Sequence, residues 1–191
     1  MPVITATQVT VYSNITASAA TITSSGIIGI VQERINWYCN NWFTTDLDVQ
    51  GEITFNATAA TITCESNDWE GFGFAAGDEV YVYHSYRNDG YYTVDSITGS
   101  ALTIASTASV VDELSGRSIM VSVVKWPTDV MYAAAKMVEY DYDVRPKRSA
   151  GVRSVSLGPW SESYGADANG EFGYPADILA PLNNHKIVRL M

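Results

Sequence analysis

The chain of 191 residues reads as an α+β protein: a small α-helical bundle interrupted by an inserted all-β barrel or sandwich domain. Three observations predict this class. Before residue 46, apolar residues recur at three- and four-residue spacing, the period of one helix face. From 46 to 125 the pattern changes to apolar–polar alternation with Gly-bearing turns, as short strands require. After 126 the helix period returns. The bundle therefore takes residues 1–45 and 126–191, with three main helices, a short C-terminal helix and a β-hairpin. Residues 46–125 form the insert, of a kind tolerated at an exposed loop tip whose two ends lie close together.

In chain order, "TATQVTVYSNI" carries Thr5 or Thr7 as an N-cap and Val9 and Tyr12 three apart. "TASAATITSSG" reads as a Ser- and Thr-rich break. "IIGIVQERINWYCNNWF" then sets Ile28, Val31, Ile35, Tyr38 and Trp42 on one face of a helix of about four turns, with Ser24 or Ser25 available to cap it. In the β-segment, "GEITFNATAATITCE" alternates around Asn56. "DEVYVYHSY" places Val80, Val82 and His84 on one face and Tyr81 and Tyr83 on the other. Asn88-Asp89-Gly90 is a tight-turn tripeptide, and "GSALTIAS" and "RSIMVSVVKW" close a series of about six strands.

The next helix, "WPTDVMYAAAKMVEYDYD", begins at Pro127 or Thr128 and aligns Met131, Ala134, Ala135, Val138 and Tyr142. "SVSLGPWSESY" follows, a hairpin signal around Gly158-Pro159 with Val155, Leu157, Trp160 and Tyr164 alternating with small polar residues. "YPADILAPL" is the short last helix, with Pro175 in its first turn, Asp177 near the positive end of its dipole, and Ile178 and Leu182 buried. Two strands alone in water are marginal, so the hairpin needs a partner.

Composition narrows the function classes. Net charge is −10, and residues 46–125 hold twelve acids against three bases. Such a surface repels phosphate backbones and is a poor candidate for tight nucleic-acid binding. No apolar run approaches the roughly 20 residues of a membrane span, and the first residues lack the pattern of a secretory signal. Cys39 and Cys64 suit a reducing compartment as buried thiols, which leaves the sequons at Asn14 and Asn56 without weight.

No acid–base–nucleophile set converges, so the chain is not read as an enzyme, and neither a metal nor a cofactor is expected. His84 reads as a sheet histidine bonded to a neighbour, and His185 as a tail residue. "GFGFAAG" has neither dinucleotide-loop nor P-loop spacing, and reads as a turn with Phe72 and Phe74 packing inward. "DANGE" has its Gly170 two positions too early for a calcium loop. Asp112-Glu113 and "EYDYD" read as exposed faces. The basic group Arg145, Lys147, Arg148 and Arg153 is either a docking patch or a solvated loop balancing Asp141 and Asp143. His185, Lys186, Ile187, Val188, Arg189, Leu190 and Met191 form an unusually apolar tail, suited to another protein's groove.

Four stretches together resemble the head–tail connector (adaptor, or head completion) proteins of long-tailed bacteriophages: "IVQERINWYCNNWF", "WPTDVMYAAAKMVEYDYD", "AGVRSVSLGPWSESYG" and "YPADILAPLNNHKIVRLM". They total 66 residues, spread in order over host segments of about 110 residues, and each alone is degenerate. The stretches "GFAAGDEVYVY", "NDGYYTV" and "ALTI" resemble small barrel modules of phage neck and tail proteins. The resemblance implies a virion protein made in the host cytoplasm: a homo-oligomeric ring, of twelve copies in that family, between the portal and the tail. It would seal the filled capsid and let genomic DNA pass without tight binding. Val155, Leu157, Trp160 and Tyr164 would then form an inter-subunit hairpin, and residues 185–191 a portal-docking tail. Other partners implied are tail or head-completion proteins; no membrane partner is expected. The alternatives are a tail-completion, tail-terminator or baseplate component, or a carbohydrate-binding module using Trp69, Tyr81, Tyr83, Tyr86, Tyr91 and Tyr92.

Overall fold

The computed structural model describes residues 2–65, 68–105, 109–114, 118–147, 154–157, 160–163 and 171–188. By contact the chain divides into two compact units, residues 42–125 and residues 2–41 with 126–191.

The first unit is a six-stranded antiparallel sheet closed into a barrel. Its strands are β1 (Thr44–Asn56), β2 (Thr61–Cys64), β3 (Glu79–Tyr83), β4 (Gly90–Thr98), β5 (Ala101–Ile104) and β6 (Ser118–Val124). They are ordered β1-β2-β5-β4-β3-β6 around the closure. Two strands turn the corners. The first part of β1 pairs with β6, and the rest, from Ile53, pairs with β2. β4 pairs with β3 up to Thr93 and with β5 from Val94, with a register shift between Val94 and Ser96. A local irregularity of this kind lets a strand bend and a sheet close.

Alternation in the sequence becomes inside and outside. Val49, Ile53 and Phe55 of β1 point inward, as do Val80 and Val82 of β3 and Ile119 and Val121 of β6. Trp69 is fully buried, donates from Nε1 to the Ser100 carbonyl at 2.7 Å, and meets Phe74 edge-on with centroids 5.0 Å apart. Each such apolar side chain contributes roughly 1.5–3 kcal/mol when fully buried.

The second unit contains α1 (Ala6–Tyr12), α2 (Ala19–Ser25), α3 (Ile27–Cys39), α4 (Thr128–Glu139) and α5 (Ala176–Leu179), with the hairpin strands β7 (Ser154–Leu157) and β8 (Trp160–Ser163). α4 runs into one π-helical stretch, Tyr140–Val144. Thr5 caps α1 in a capping box with Gln8. Gly26, in the left-handed region at φ +66°, joins α2 to α3, a conformation that costs glycine little. Val31, Ile35 and Cys39 of α3 and Val130, Ala134 and Met137 of α4 are buried.

Several expectations are corrected here. The chain is not a helical bundle carrying an inserted barrel: it is dominated by the six-stranded antiparallel sheet, accompanied by about five helices. Among those helices α1 and α2 have seven residues each and α5 has four, too short to stand as bundle members. Residues 19–25, read as a break, form α2, because the Ser18 hydroxyl caps it and Ile22 is buried. On α4 the expected Ala134, Ala135 and Val138 are buried, but Met131 and Tyr142 are only half-buried, and the buried face extends instead to Val130, Ala133 and Met137. In the last helix Leu179 is buried and Ile178 half-buried. His84 lies just past β3, exposed, at φ +66°, and is not a sheet histidine. Phe74 packs inward, but Phe72 is exposed.

Candidate functional site

The features singled out by the sequence for binding fall mainly in the second unit, and they have different fates. β7 and β8 pair antiparallel from Ser154 opposite Ser163 to Leu157 opposite Trp160. Among the described residues they form a separate two-stranded sheet, and neither strand has a second neighbour. Val155, Leu157 and Trp160 therefore sit at known backbone positions of the ribbon, while Tyr164 lies outside the described residues, as do Arg148, Arg153, Arg189, Leu190 and Met191.

Chain segments before and after the ribbon in sequence meet in a cluster that sequence reasoning missed. Asp141, read as part of an exposed run, has a side chain only 9% exposed. The Tyr174 hydroxyl and the Arg34 guanidinium both donate to its Oδ2, and Arg34 also donates to the Tyr174 oxygen. Its Oδ1 lies 2.8 Å from Nε of Arg145 as an ion pair, without the angle of a hydrogen bond. Arg145 in turn donates from Nη2 to the Phe172 carbonyl at 3.0 Å and lies over the Tyr174 ring, 4.8 Å from its centroid. The chain before the ribbon is thus tied to the chain after it. Burial and then the Asp141 carboxylate hold the Tyr174 phenol well above its ordinary range. Burial alone would lower Arg34, but its contacts with Tyr174 and Asp141 outweigh that and raise it.

One member of the basic group also belongs to this cluster: Arg145 is engaged by Asp141, Phe172 and the Tyr174 ring. Lys147 ends a short 3-10 turn, Arg145–Lys147. The signal was present as Asp141 and Arg145 at i,i+4, a spacing that joins charges on a helix. Nothing local pointed to Arg34 or Tyr174. Asp143 is likewise engaged, by the Thr16 backbone N–H and hydroxyl.

The tail folds back on α3. His185 Nε2 and Asp129 Oδ2, at the start of α4, are 2.8 Å apart, and this contact holds the Asp129 carboxyl below its ordinary value. Lys186 places its ammonium over the Tyr38 ring, 3.6 Å from the centroid. Ile187 donates its backbone N–H to the Cys39 carbonyl at 2.8 Å. Even so, Ile187 is 46% exposed and Val188 is 83% exposed. Cys39 itself is buried, and burial pushes its thiol up to about 11, which disfavours the nucleophilic thiolate.

In the barrel unit the aromatic residues considered for carbohydrate do not form one platform. Trp69 and Tyr92 are buried, and Tyr86 is exposed. Tyr81, Tyr83 and Tyr91 pack edge-to-face outside β3 and β4, with Trp42 at 6.0 Å from Tyr81. Flat faces are what a sugar ring would stack on, and edge-to-face packing covers them. Among the described residues no three His, Cys, Asp or Glu side chains gather to hold a metal ion. Nor is any described helix long and apolar enough to cross a membrane.

No family model and no curated protein matches this chain.

Proposed function

We propose that the protein is a structural component of the bacteriophage neck. Copies assemble as a ring between portal and tail, seal the DNA-filled capsid and form the conduit for DNA. One observation carries this reading: the ribbon β7–β8 stands as a separate two-stranded sheet, so each strand keeps an outer edge without a described neighbour. Unpaired strand edges are templates for pairing with another chain, and a head-to-tail contact of one edge on the next copy is the kind that closes rings. The clasp at Asp141 is consistent with it, because it ties the chain at Arg145, before the ribbon, to the chain at Phe172, after it. Exposed Ile187 and Val188 suit the role of a docking tail. The four stretches that resemble connector proteins give the reading its specific form.

The test is assembly on the portal. The full-length chain is mixed with the portal protein of the same virion and the mass is followed by light scattering and electron microscopy. A ring on the portal is expected for the wild type. Leu157→Pro, which removes a ribbon N–H and bends a strand, should abolish the ring while leaving the far-ultraviolet spectrum nearly unchanged. Wild-type protein that stays monomeric with portal, or full rings from the variant, would overturn the reading.

A further inference from the structure

We infer that residues 183–187 form a strap latched across the C-terminal end of α3, and that this latch competes with any partner for the main chain of the tail. The strap is held along its whole length. Asn183 accepts from the Tyr38 hydroxyl at 2.8 Å. The backbone carbonyl of His185 accepts from Nδ2 of Asn41 at 3.2 Å, and that of Ile187 accepts from Nδ2 of Asn40 at 3.1 Å. The Ile187 N–H donates to the Cys39 carbonyl. On either side of these main-chain bonds stand the His185–Asp129 contact and the Lys186–Tyr38 contact.

The seat is made by the way α3 ends. Asn40 is its C-cap in the left-handed region, φ 48° and ψ 39°. Asparagine tolerates that conformation better than other side-chain-bearing residues do. Its carboxamide and that of Asn41 are then available to bind the returning chain. Four of the bonds reach backbone or carboxamide groups, so the seat reads the main chain as it leaves the 3-10 turn Ala180–His185 and not a particular apolar side chain. The apolar side chains of Ile187 and Val188 remain outside.

The consequence follows from hydrogen-bond counting. A tail that docks as an added strand offers its backbone N–H and C=O groups to the receiving edge. In this protein the C=O of His185 and both backbone polar groups of Ile187 are already engaged. A partner can grip Val188 and the exposed side of Ile187 first, but strand pairing over 185–187 requires the strap to lift. The latch is therefore an autoinhibitory contact, and Cys39 lies at its base: its carbonyl accepts from the Ile187 N–H, and its buried Sγ lies 3.6 Å from the carbonyl of Leu182, the residue that leads into the strap.

Cys39 reports the state of the strap. The full-length protein and the variant Asn40→Gly/Asn41→Ala are treated with iodoacetamide, and modification of Cys39 and Cys64 is followed separately by peptide mass. Glycine keeps the left-handed C-cap while removing the carboxamide. Loss of two neutral hydrogen bonds should speed Cys39 modification about tenfold or more, with Cys64 unchanged as the folding control. His185→Ala, on the more exposed contact, should give a smaller rise and serves if the double variant fails to fold. Unchanged Cys39 modification in both folded variants would overturn the latch.

The competitive part rests on the neck reading, and a second arm keeps the two apart. Portal association of the double variant, measured by interferometry, should be faster than wild type by a factor similar to the Cys39 effect. Slower association would show that the seat prearranges the tail and would overturn the autoinhibition. If Cys39 responds as expected but no form binds portal, the neck reading fails and the latch stands as a property of the fold.

Discussion

Asp141 carries the most consequence of any single residue. It is a nearly buried carboxylate facing two guanidinium groups and a phenol, and removing it leaves Arg34 and Arg145 without their counter-charge. Breaking a buried pair costs about 3–5 kcal/mol. Because the two arginines keep 27% and 38% exposure, Asp141→Ala should cost less than that, about 2–3 kcal/mol, read from the urea midpoint of the second unit. A loss below about 0.5 kcal/mol would mean that solvent replaces the carboxylate fully. Tyr174 and Cys39 give the alkaline behaviour. Both keep their protons in the folded state at a pH where the unfolded chain has released them. The unfolded state then binds fewer protons, so stability falls as pH rises, from about 9 for Cys39 and about 10 for Tyr174. Denaturation curves at pH 8, 9.5 and 11 should show this decline, and a flat profile would contradict the burial of both groups. For Asp129 the sign reverses: its lowered folded value favours the folded state above the ordinary carboxylate range, and that contribution disappears as pH falls through it.

Elements differ in how far the chain announced them. The strands of the barrel were legible because alternation is a property of neighbours two apart, and Val80 and Val82 are buried as that period requires. β1 was legible only in its later half. Its early half contains Asp46 and Asp48 on the exposed face, and polar outward residues hide a strand that is long and half-covered. α2 was missed because Ser and Thr, poor helix formers in isolation, fill it; the Ser18 cap and the burial of Ile22 override that preference. The end of α4 was overextended, since the helix gives way to a π turn that rotates Asp141 inward. Trp69 shows how an irregular stretch can still hold the barrel. It fills the core from outside the strands and hydrogen-bonds to the turn at Ser100. Trp69→Ala should therefore cost about 3–5 kcal/mol in the barrel unit, measured by the loss of its near-ultraviolet signal on urea titration. A cost near that of a surface substitution would show that the 68–74 stretch is dispensable.

At the scale of the whole molecule, charge is the property that constrains behaviour most. With 21 acids against 11 bases and a net charge of −10, the chain as a whole repels a phosphate backbone. Duplex DNA at physiological salt should therefore bind no tighter than the micromolar range of non-specific contacts, as polarisation with a labelled duplex would check. Submicromolar affinity would contradict the proposed conduit role, since DNA held on the wall does not pass freely.

By itself the sequence determined the local periods: where neighbours two apart alternate, where apolar residues return every three or four, and where acids crowd the middle segment. Those patterns act between nearby residues, so they are readable one stretch at a time. Tertiary structure alone decided the strand order of the barrel, the burial of Asp141 and the seat of the tail. Long-range contacts decide them, from the pairing of Val49 with Val121 in the barrel to Arg34 with Asp141, 107 positions apart, and Asn40 with Ile187, 147 apart. A carboxylate in an acidic run looks solvated until the fold brings Arg34 and Tyr174 to it, because its burial depends on partners that no local pattern encodes.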